Sequence, residues 1–245
     1  MLKDNRLQAV VLAGGLGTRL RPYTFLLPKP MLPVGPKPIM EHLLEWLNKW
    51  GIEDVVVSTG YLGKMLQEYF GSGADWGMKI AYATSARPLG TAGQLKAAES
   101  KIKGRFVCVY GDQLLDFDLA KALEFHQKKK AAATMVLMKY STELKYGFME
   151  TDRDGRLTEW KEKPTISGYI NVGCYVMERS FLRFISPGRV YEMNDAFNEA
   201  KAAGARLYAI KVDGTFTDIG DRRSFKEANK LYTRNLGEGD DSGRG

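Results

Sequence analysis

The chain has 245 residues, 44% apolar and 27% charged, enough for one large domain or a domain with a smaller lobe. No apolar run approaches the roughly 18 residues of a membrane span, and MLKDNRLQ at the N-terminus lacks the apolar core of a signal peptide, so a cytoplasmic protein without a membrane partner is expected. Lys and Arg number 36 against 29 Asp and Glu, a net charge of +7, but no basic stripe with interleaved aromatics marks a nucleic-acid surface, and a small anion is the better partner.

QAVVLA, from Gln8, has the pattern of a buried strand and runs into glycines 14, 15 and 17. Ile39, Leu43, Leu44, Leu47 and Trp50 recur at a helical period, and Gly51 suits the C-terminal cap. A strand (DVVVSTG), a helix (GKMLQEYF), a strand (KIAYA), a helix (TAGQLKAAESKI) and a strand (RFVCVYGD) follow in turn. Asp118 is placed to cap the helix DLAKALEFHQKKK, whose Lys128–Lys130 run is a solvated end favoured by the helix dipole. AATMVLMKY is the next strand. This β-α-β rhythm predicts an α/β fold, a Rossmann-like, mostly parallel mixed sheet with helices on both faces.

The rhythm changes after about Tyr140. GFMETDRDGRLTEWKEKP predicts two strands joined by an Asp-Arg-Asp-Gly turn. INVGCYVM is a strand, helices are expected near Arg179–Ile185 and Tyr191–Ala203, then a strand RLYAIKV and a last helix after Asp221. GEGDDSGRG, residues 237–245, is glycine-rich and polar and is expected to be a disordered tail. Cys108 and Cys174 lie in strand-like runs as small buried hydrophobes, and His42 and His126 fall on helix-like stretches, so no zinc set is expected.

Glycines 14, 15 and 17 follow the first strand at its carboxyl end, where open α/β sheets bind ligands. Glycine lets backbone N–H groups approach a bulky anion. The string is not a Walker loop, since no lysine follows the glycines, and not a dinucleotide fingerprint, since Leu20 stands where a third glycine is needed. Arg19 and Arg21 supply guanidinium forks that match phosphate oxygens. Prolines around Lys29 stiffen the segment carrying that lysine, which limits the entropy lost when it meets a phosphate.

The string GGLGTRLRPYTFLLPKPMLPVGPKPI resembles the signature of the sugar-1-phosphate nucleotidyltransferases, the nucleotide-sugar pyrophosphorylases. PLGTAG (Pro88–Gly93), YGD (Tyr110–Asp112), KYG (Lys145–Gly147), EKP (Glu162–Pro164), INVG (Ile170–Gly173) and DIG (Asp218–Gly220) follow in family order. The resemblance implies a nucleotide-diphospho-sugar transferase fold over residues 8–236, with a nucleotide-binding part (8–140) and a sugar-binding sub-lobe (141–236). Its substrates would be a nucleoside triphosphate and a sugar 1-phosphate. It further implies that Asp112 and Asp218 hold Mg²⁺, a hard cation suited to carboxylate and phosphate oxygens. Arg19 and Lys29 are then the catalytic cations. Leu12, Ala13, Gly14, Gly15, Gly17, Thr18, Ser85, Leu89, Gly90, Thr91 and Gly111 would line the nucleotide. Lys163 would hold the sugar phosphate and Glu162 the sugar hydroxyls, with Asn171, Gly147 and Gly173 completing the pocket.

PLGTAG and LYAIKVDGTFTDIGD look most like mannose-1-phosphate and heptose-1-phosphate guanylyltransferases, which favours GTP and mannose 1-phosphate. ATSARPLG, however, lacks the carboxylate that would accept guanine's N–H groups, and YEMNDAF resembles a segment of thymidylyl and uridylyl enzymes. Two rival readings remain: a glycosyltransferase using Asp116-Phe117-Asp118 as an Asp-x-Asp metal motif, and a catalytically silent regulatory homologue that binds nucleotide sugars. No hexapeptide repeat is present, and the composition leaves room for a homo-oligomer.

Overall fold

A computed structural model describes residues 7–239, with side chains as far as residue 233. In chain order the strands are β1 (Gln8–Ala13), β2 (Pro33–Val34), β3 (Lys37–Pro38), β4 (Asp54–Thr59), β5 (Lys79–Thr84), β6 (Phe106–Tyr110), β7 (Gln113–Phe117), β8 (Ala133–Glu143), β9 (Phe148–Thr151), β10 (Leu157–Lys161), β11 (Thr165–Met177), β12 (Leu207–Val212) and β13 (Gly214–Asp218). The helices are α1 (Ile39–Lys49), α2 (Gly63–Phe70), α3 (Gly90–Ala97), α4 (Leu119–Lys129), α5 (Met193–Ala202) and α6 (Arg222–Gly239).

Seven strands form one sheet in the order β12-β8-β11-β6-β1-β4-β5. β11 is antiparallel to β6 and β8, and the other pairs are parallel. A strand with helices over both faces must bury both sides, and β1 is buried at every residue. Its Ala9, Val11 and Ala13 enter one core with Leu43, Leu44 and Leu47 of α1 and Leu66 of α2. Val10 and Leu12 enter the other, with Leu95 of α3 and Ala196 and Ala200 of α5. Each large side chain so buried contributes about 1.5–3 kcal/mol. A third core joins Leu20, Leu32, Val34 and Ile39 to Ile219 and Ala228, tying the glycine-loop segment to β13 and α6.

The Rossmann-like, mostly parallel mixed sheet is thus the observed fold. Gly51, at φ +75°, follows the end of α1. Asp118 caps α4 by accepting from Ala120 N–H (3.0 Å) and Lys121 N–H (3.4 Å). The Asp-Arg-Asp-Gly turn joins β9 to β10, with Asp152 Oδ1 accepting from Asp154 and Arg156 N–H. One local expectation needs correction. Arg179–Phe184 is a 3₁₀ helix. α6 runs to Gly239, and residues 240–245 of the expected tail lie outside the described part. β7 and β13, which the sequence did not distinguish as a pair, form a two-stranded antiparallel ladder beside the main sheet. Among the described residues no helix is long and apolar enough to cross a membrane.

Candidate active site

The parallel strands β1, β4, β5 and β6 end on one edge of the sheet, and the glycine loop leaves β1 there. Its glycines serve different ends. Gly17 has φ +61°, and a Cβ on it would stand 2.8 Å from Thr24 Cγ2; its carbonyl accepts from the Thr24 hydroxyl at 2.8 Å. Gly14 donates its N–H to Gln94 Oε1 (2.8 Å), and a Cβ there would collide with the same carboxamide at 2.6 Å. A Cβ on Gly15 would meet nothing within 4 Å. The protein's own packing therefore does not require glycine at 15, and the backbone there is open to approach. Gly111 donates to the Leu12 carbonyl (2.9 Å) and packs tightly against Val11 and Ala13, which locks the end of β6 to β1.

The β7–β13 ladder sets the acidic pair. Its register places Asp218 opposite Gln113, next to Asp112, and Ile219 N–H donates to the Asp112 carbonyl at 3.2 Å. Lys29, 9% exposed and carried by a 3₁₀ turn behind Pro28, pairs with Asp112 Oδ2 and lies 3.9 Å from Asp218 Oδ1. Burial, then the charge of Asp112, raises the Asp218 carboxyl above its ordinary value, while Lys29 and Arg19 pull it back. Arg19 joins the cluster over Gly220: a Cβ built there would be 2.9 Å from Asp218 Oδ2 and 3.5 Å from Arg19 Nη1. Arg19, Lys29, Asp112 and Asp218 therefore converge.

Two carboxylates facing one cationic position fit a hard divalent ion. No third His, Cys, Asp or Glu joins them among the described residues. An ion held by Asp112 and Asp218 would thus complete its shell with water and substrate oxygens, the usual habit of Mg²⁺. The ammonium of Lys29 currently supplies the positive charge that this pair requires.

The segment Pro88–Gly93 is sewn to the approach of α5. Tyr191 N–H donates to the Leu89 carbonyl (2.7 Å) and Gly93 N–H to the Tyr191 carbonyl (3.0 Å). Glu192 Oε2 accepts from both the N–H (3.1 Å) and the hydroxyl (2.8 Å) of Thr91. Gly90, at φ +71°, has no room for a side chain, because a Cβ would be 2.6 Å from the Tyr191 carbonyl. The Ser85 hydroxyl is engaged with the Arg87 carbonyl at 2.8 Å, and Arg87 reaches the Gly188 carbonyl. Neither Gln94 nor Glu192 was singled out from sequence. YEMND carried a family likeness but no role, and a glutamate before a helix reads as a cap, which Glu192 also is.

The second group lies on the lobe of β8–β11. A Cβ on Gly147 would be 3.0 Å from Glu162 Oε2 and 3.3 Å from Trp160 Nε1, so Gly147, Trp160 and Glu162 share one patch. Lys163 has φ +43°, a conformation unfavourable to a non-glycine residue and frequent where a side chain must be aimed. Two residues on, β11 begins and runs inward to Asn171 and Gly173. Gly173, at φ +68°, rests against Gln113 and the Tyr110 ring, which brings this end of the lobe beside Asp112. Of the rival Asp-x-Asp motif, Asp118 is spent as the cap of α4 and Asp116 lies 3.6 Å from Lys49.

A glycine loop, two cations and two carboxylates gathered at the strand ends of an open α/β sheet define a nucleotide-phosphate-handling protein. The chain belongs to the nucleotidyl transferase family, whose model matches residues 8–235. It is 35% identical over 233 residues to a UTP–glucose-1-phosphate uridylyltransferase of Synechocystis (87% of this chain, 60% of that protein). It is 35% identical over 242 residues to a mannose-1-phosphate guanylyltransferase of Mycobacterium tuberculosis (96% and 67%). It is 36% identical over 226 residues to a D-glycero-α-D-manno-heptose 1-phosphate guanylyltransferase of Aneurinibacillus thermoaerophilus (91% and 97%). The chain thus spans three fifths of the first relative and nearly the whole of the third. Among solved structures, a putative glucose-1-phosphate thymidylyltransferase from Bacillus anthracis, in complex with a sucrose, superposes with a TM-score of 0.74 at 27% identity, over 92% of this chain and 95% of that one.

Proposed function

We propose that the protein transfers a nucleotidyl group from a nucleoside triphosphate to a sugar 1-phosphate, releasing pyrophosphate. The observation that carries this reading is the convergence of Arg19, Lys29, Asp112 and Asp218 at the mouth of the glycine loop. Residues 8–140 would hold the nucleotide and 141–236 the sugar phosphate.

A sugar phosphate is largely a dianion at neutral pH, with a second pKa near 6 by analogy with phosphorylated side chains, and it attacks the α-phosphorus without a general base. The work left to the protein is positioning and charge neutralisation. Open backbone at Gly15 and Thr18 receives the triphosphate. Arg19 and Lys29 take the charge that grows on the departing pyrophosphate. Lys163 holds the incoming phosphate, and Glu162 accepts hydrogen bonds from the sugar hydroxyls. A divalent ion on Asp112 and Asp218, with Mg²⁺ the fitting one, supplies further neutralisation of phosphate charge when bound.

GTP and mannose 1-phosphate are the first substrates to expect, on the sequences PLGTAG and LYAIKVDGTFTDIGD and the two guanylyltransferase relatives. UTP or TTP with glucose 1-phosphate is the alternative, on YEMNDAF, on the uridylyltransferase relative and on ATSARPLG, which offers no carboxylate to accept guanine's N–H groups. A matrix of five nucleoside triphosphates against mannose, glucose and heptose 1-phosphates, with Mg²⁺ and scored by pyrophosphate release, decides between them. Tight binding with no pyrophosphate in any combination would overturn the enzymatic reading and favour a silent nucleotide-sugar-binding homologue.

A further inference from the structure

At the edge of the sheet opposite the glycine loop, β6, β8 and β12 begin, β11 ends and α4 stops. A cavity of about 610 Å³ opens there, a size that holds a small organic ligand. Four cations line it, Arg105, Lys130, Arg183 and Arg206, against one carboxylate, Glu178. Arg105 precedes β6 and Asp112 follows it, so a distance on the order of 20 Å of extended chain separates this cavity from the acidic pair.

A helix C-terminus attracts cations, but α4 does not consume these. Its last carbonyls are already met: His126 by Ala131 N–H (3.2 Å), Gln127 by Lys130 N–H (3.0 Å) and Lys130 by Arg206 Nε (2.7 Å). Glu178 is spent on Arg105, whose Nε donates to Oε1 at 2.7 Å, with His126 Nε2 at 3.4 Å from the same oxygen. Among the described residues Lys130, Arg183 and Arg206 pair with no carboxylate. Lys130 also has φ +47°, one position past α4, where glycine or asparagine is usual. Lys128 and Lys129 already answer the helix dipole, so the dipole does not explain a lysine at this strained position.

The frame that carries the cations is tied together. Ala132 N–H donates to the Arg206 carbonyl (2.8 Å), and Glu178 N–H to the Ala132 carbonyl (3.0 Å). The Arg183 guanidinium lies over the Phe184 ring, 4.7 Å from its centroid. Cations held on such a frame lose little freedom on meeting a phosphate, and guanidinium forks fit its oxygens. The rest of the lining is small or polar. Ser180 and Gln127 can hydrogen-bond hydroxyl groups, and no aromatic ring among the described lining residues offers a platform for a nucleobase.

We propose that this cavity is a second ligand site, for the phosphate ester of a small hydroxylated molecule of the sugar-phosphate class. Lys130, Arg183 and Arg206 hold the phosphate, with Arg105 fixed beside them by Glu178, and Ser180 and Gln127 meet the hydroxyls. The site shares no residue with the nucleotidyltransferase reading and does not depend on it.

The test is an amide NMR titration of the full chain with glucose 6-phosphate. The N–H signals of Ala132, Ser180, Gly204 and Arg206 shift together and saturate with a Kd of about 1 mM or tighter. Arg183→Gln and Arg206→Gln each weaken that Kd by about tenfold or more, the loss of a charge-assisted hydrogen bond. Lys130→Asn weakens it by about threefold or more, and asparagine accepts the left-handed backbone, so the turn is kept. Lys163→Ala, in the sugar lobe, leaves it unchanged. Inorganic phosphate binds about fivefold or more weakly, because it leaves the hydroxyl-binding residues unused. Thermal melting verifies each variant. Arg206 also holds the end of α4, and if its variant fails to fold, the exposed Arg183 carries the test. No saturable shift at these amides, a Kd unmoved by Arg183→Gln and Lys130→Asn, or shifts confined to the glycine loop overturn the proposal. Equal affinity for inorganic phosphate, or tighter binding of AMP, overturns it too, because the ligand class is then wrong.

Discussion

Lys29→Met removes the ammonium that the acidic pair faces and keeps the length of the side chain. Breaking a fully buried ion pair costs about 3–5 kcal/mol, because one charge is left uncompensated. Here the Lys29 side chain is 10% exposed, but those of Asp112 and Asp218 are 26% and 47% exposed, so water takes up part of the loss. A destabilisation of about 1–3 kcal/mol is expected, which for a chain of this size lowers Tm by about 2–12 °C. The two carboxylates freed by the substitution then depend on an added cation. At ten times its Kd, Mg²⁺ returns about 1.4 kcal/mol to the variant. In the wild type the ion gains less, since it must displace Lys29 from Asp112. Differential scanning calorimetry of both proteins, in EDTA and in millimolar Mg²⁺, reads this directly: the variant melts lower in EDTA and its Tm rises more with Mg²⁺. Equal melting in EDTA, or equal Mg²⁺ shifts in the two proteins, would refute the shared-cation argument.

Three further outcomes follow from the site and its surroundings. Lys163→Ala should raise KM for the sugar 1-phosphate by about 10–100-fold, the worth of a charge-assisted hydrogen bond, and leave KM for the triphosphate nearly unchanged in steady-state kinetics; equal effects on both would remove the assignment. Gly220→Ala places a Cβ 2.9 Å from Asp218 Oδ2 at a backbone conformation that alanine tolerates; kcat should fall by about 10–100-fold with little change in Tm, and full activity would show that this gap is not needed. His126 is fully buried between Thr134 and Glu178, and burial, then the charge of Arg105, lowers its pKa below 6.5. Its neutral form is favoured in the folded state, so its contribution to stability is complete above about pH 6.5 and is lost as pH falls through the folded value. His126→Asn should flatten the fall of Tm between about pH 7 and pH 5 relative to wild type, and parallel pH profiles would contradict this.

The periodicity of the chain determined most of the sheet. β1, β4 and β6 are valine-rich because both of their faces are covered, and such runs are visible without any tertiary information. The candidate site residues came from the glycine loop at a strand end, the guanidinium at 19, the proline-stiffened lysine at 29 and, for Asp112 and Asp218, strand-end positions and the family resemblance. Their convergence was implied by the family resemblance, but no local pattern shows it. It depends on the β7–β13 ladder, a pairing of two short strands nearly a hundred residues apart in the chain, and alternation along a strand says which faces are apolar but not which partner it finds. Glu192 was hidden for a second reason. A carboxylate ahead of a helix is fully explained locally as a cap, and only the packing of α5 against α3 brings it to Thr91. Local sequence thus supplied the side chains and the strands that carry them, while long-range pairing, whose cost is loop closure and whose gain is shared burial, decided which of them face one another.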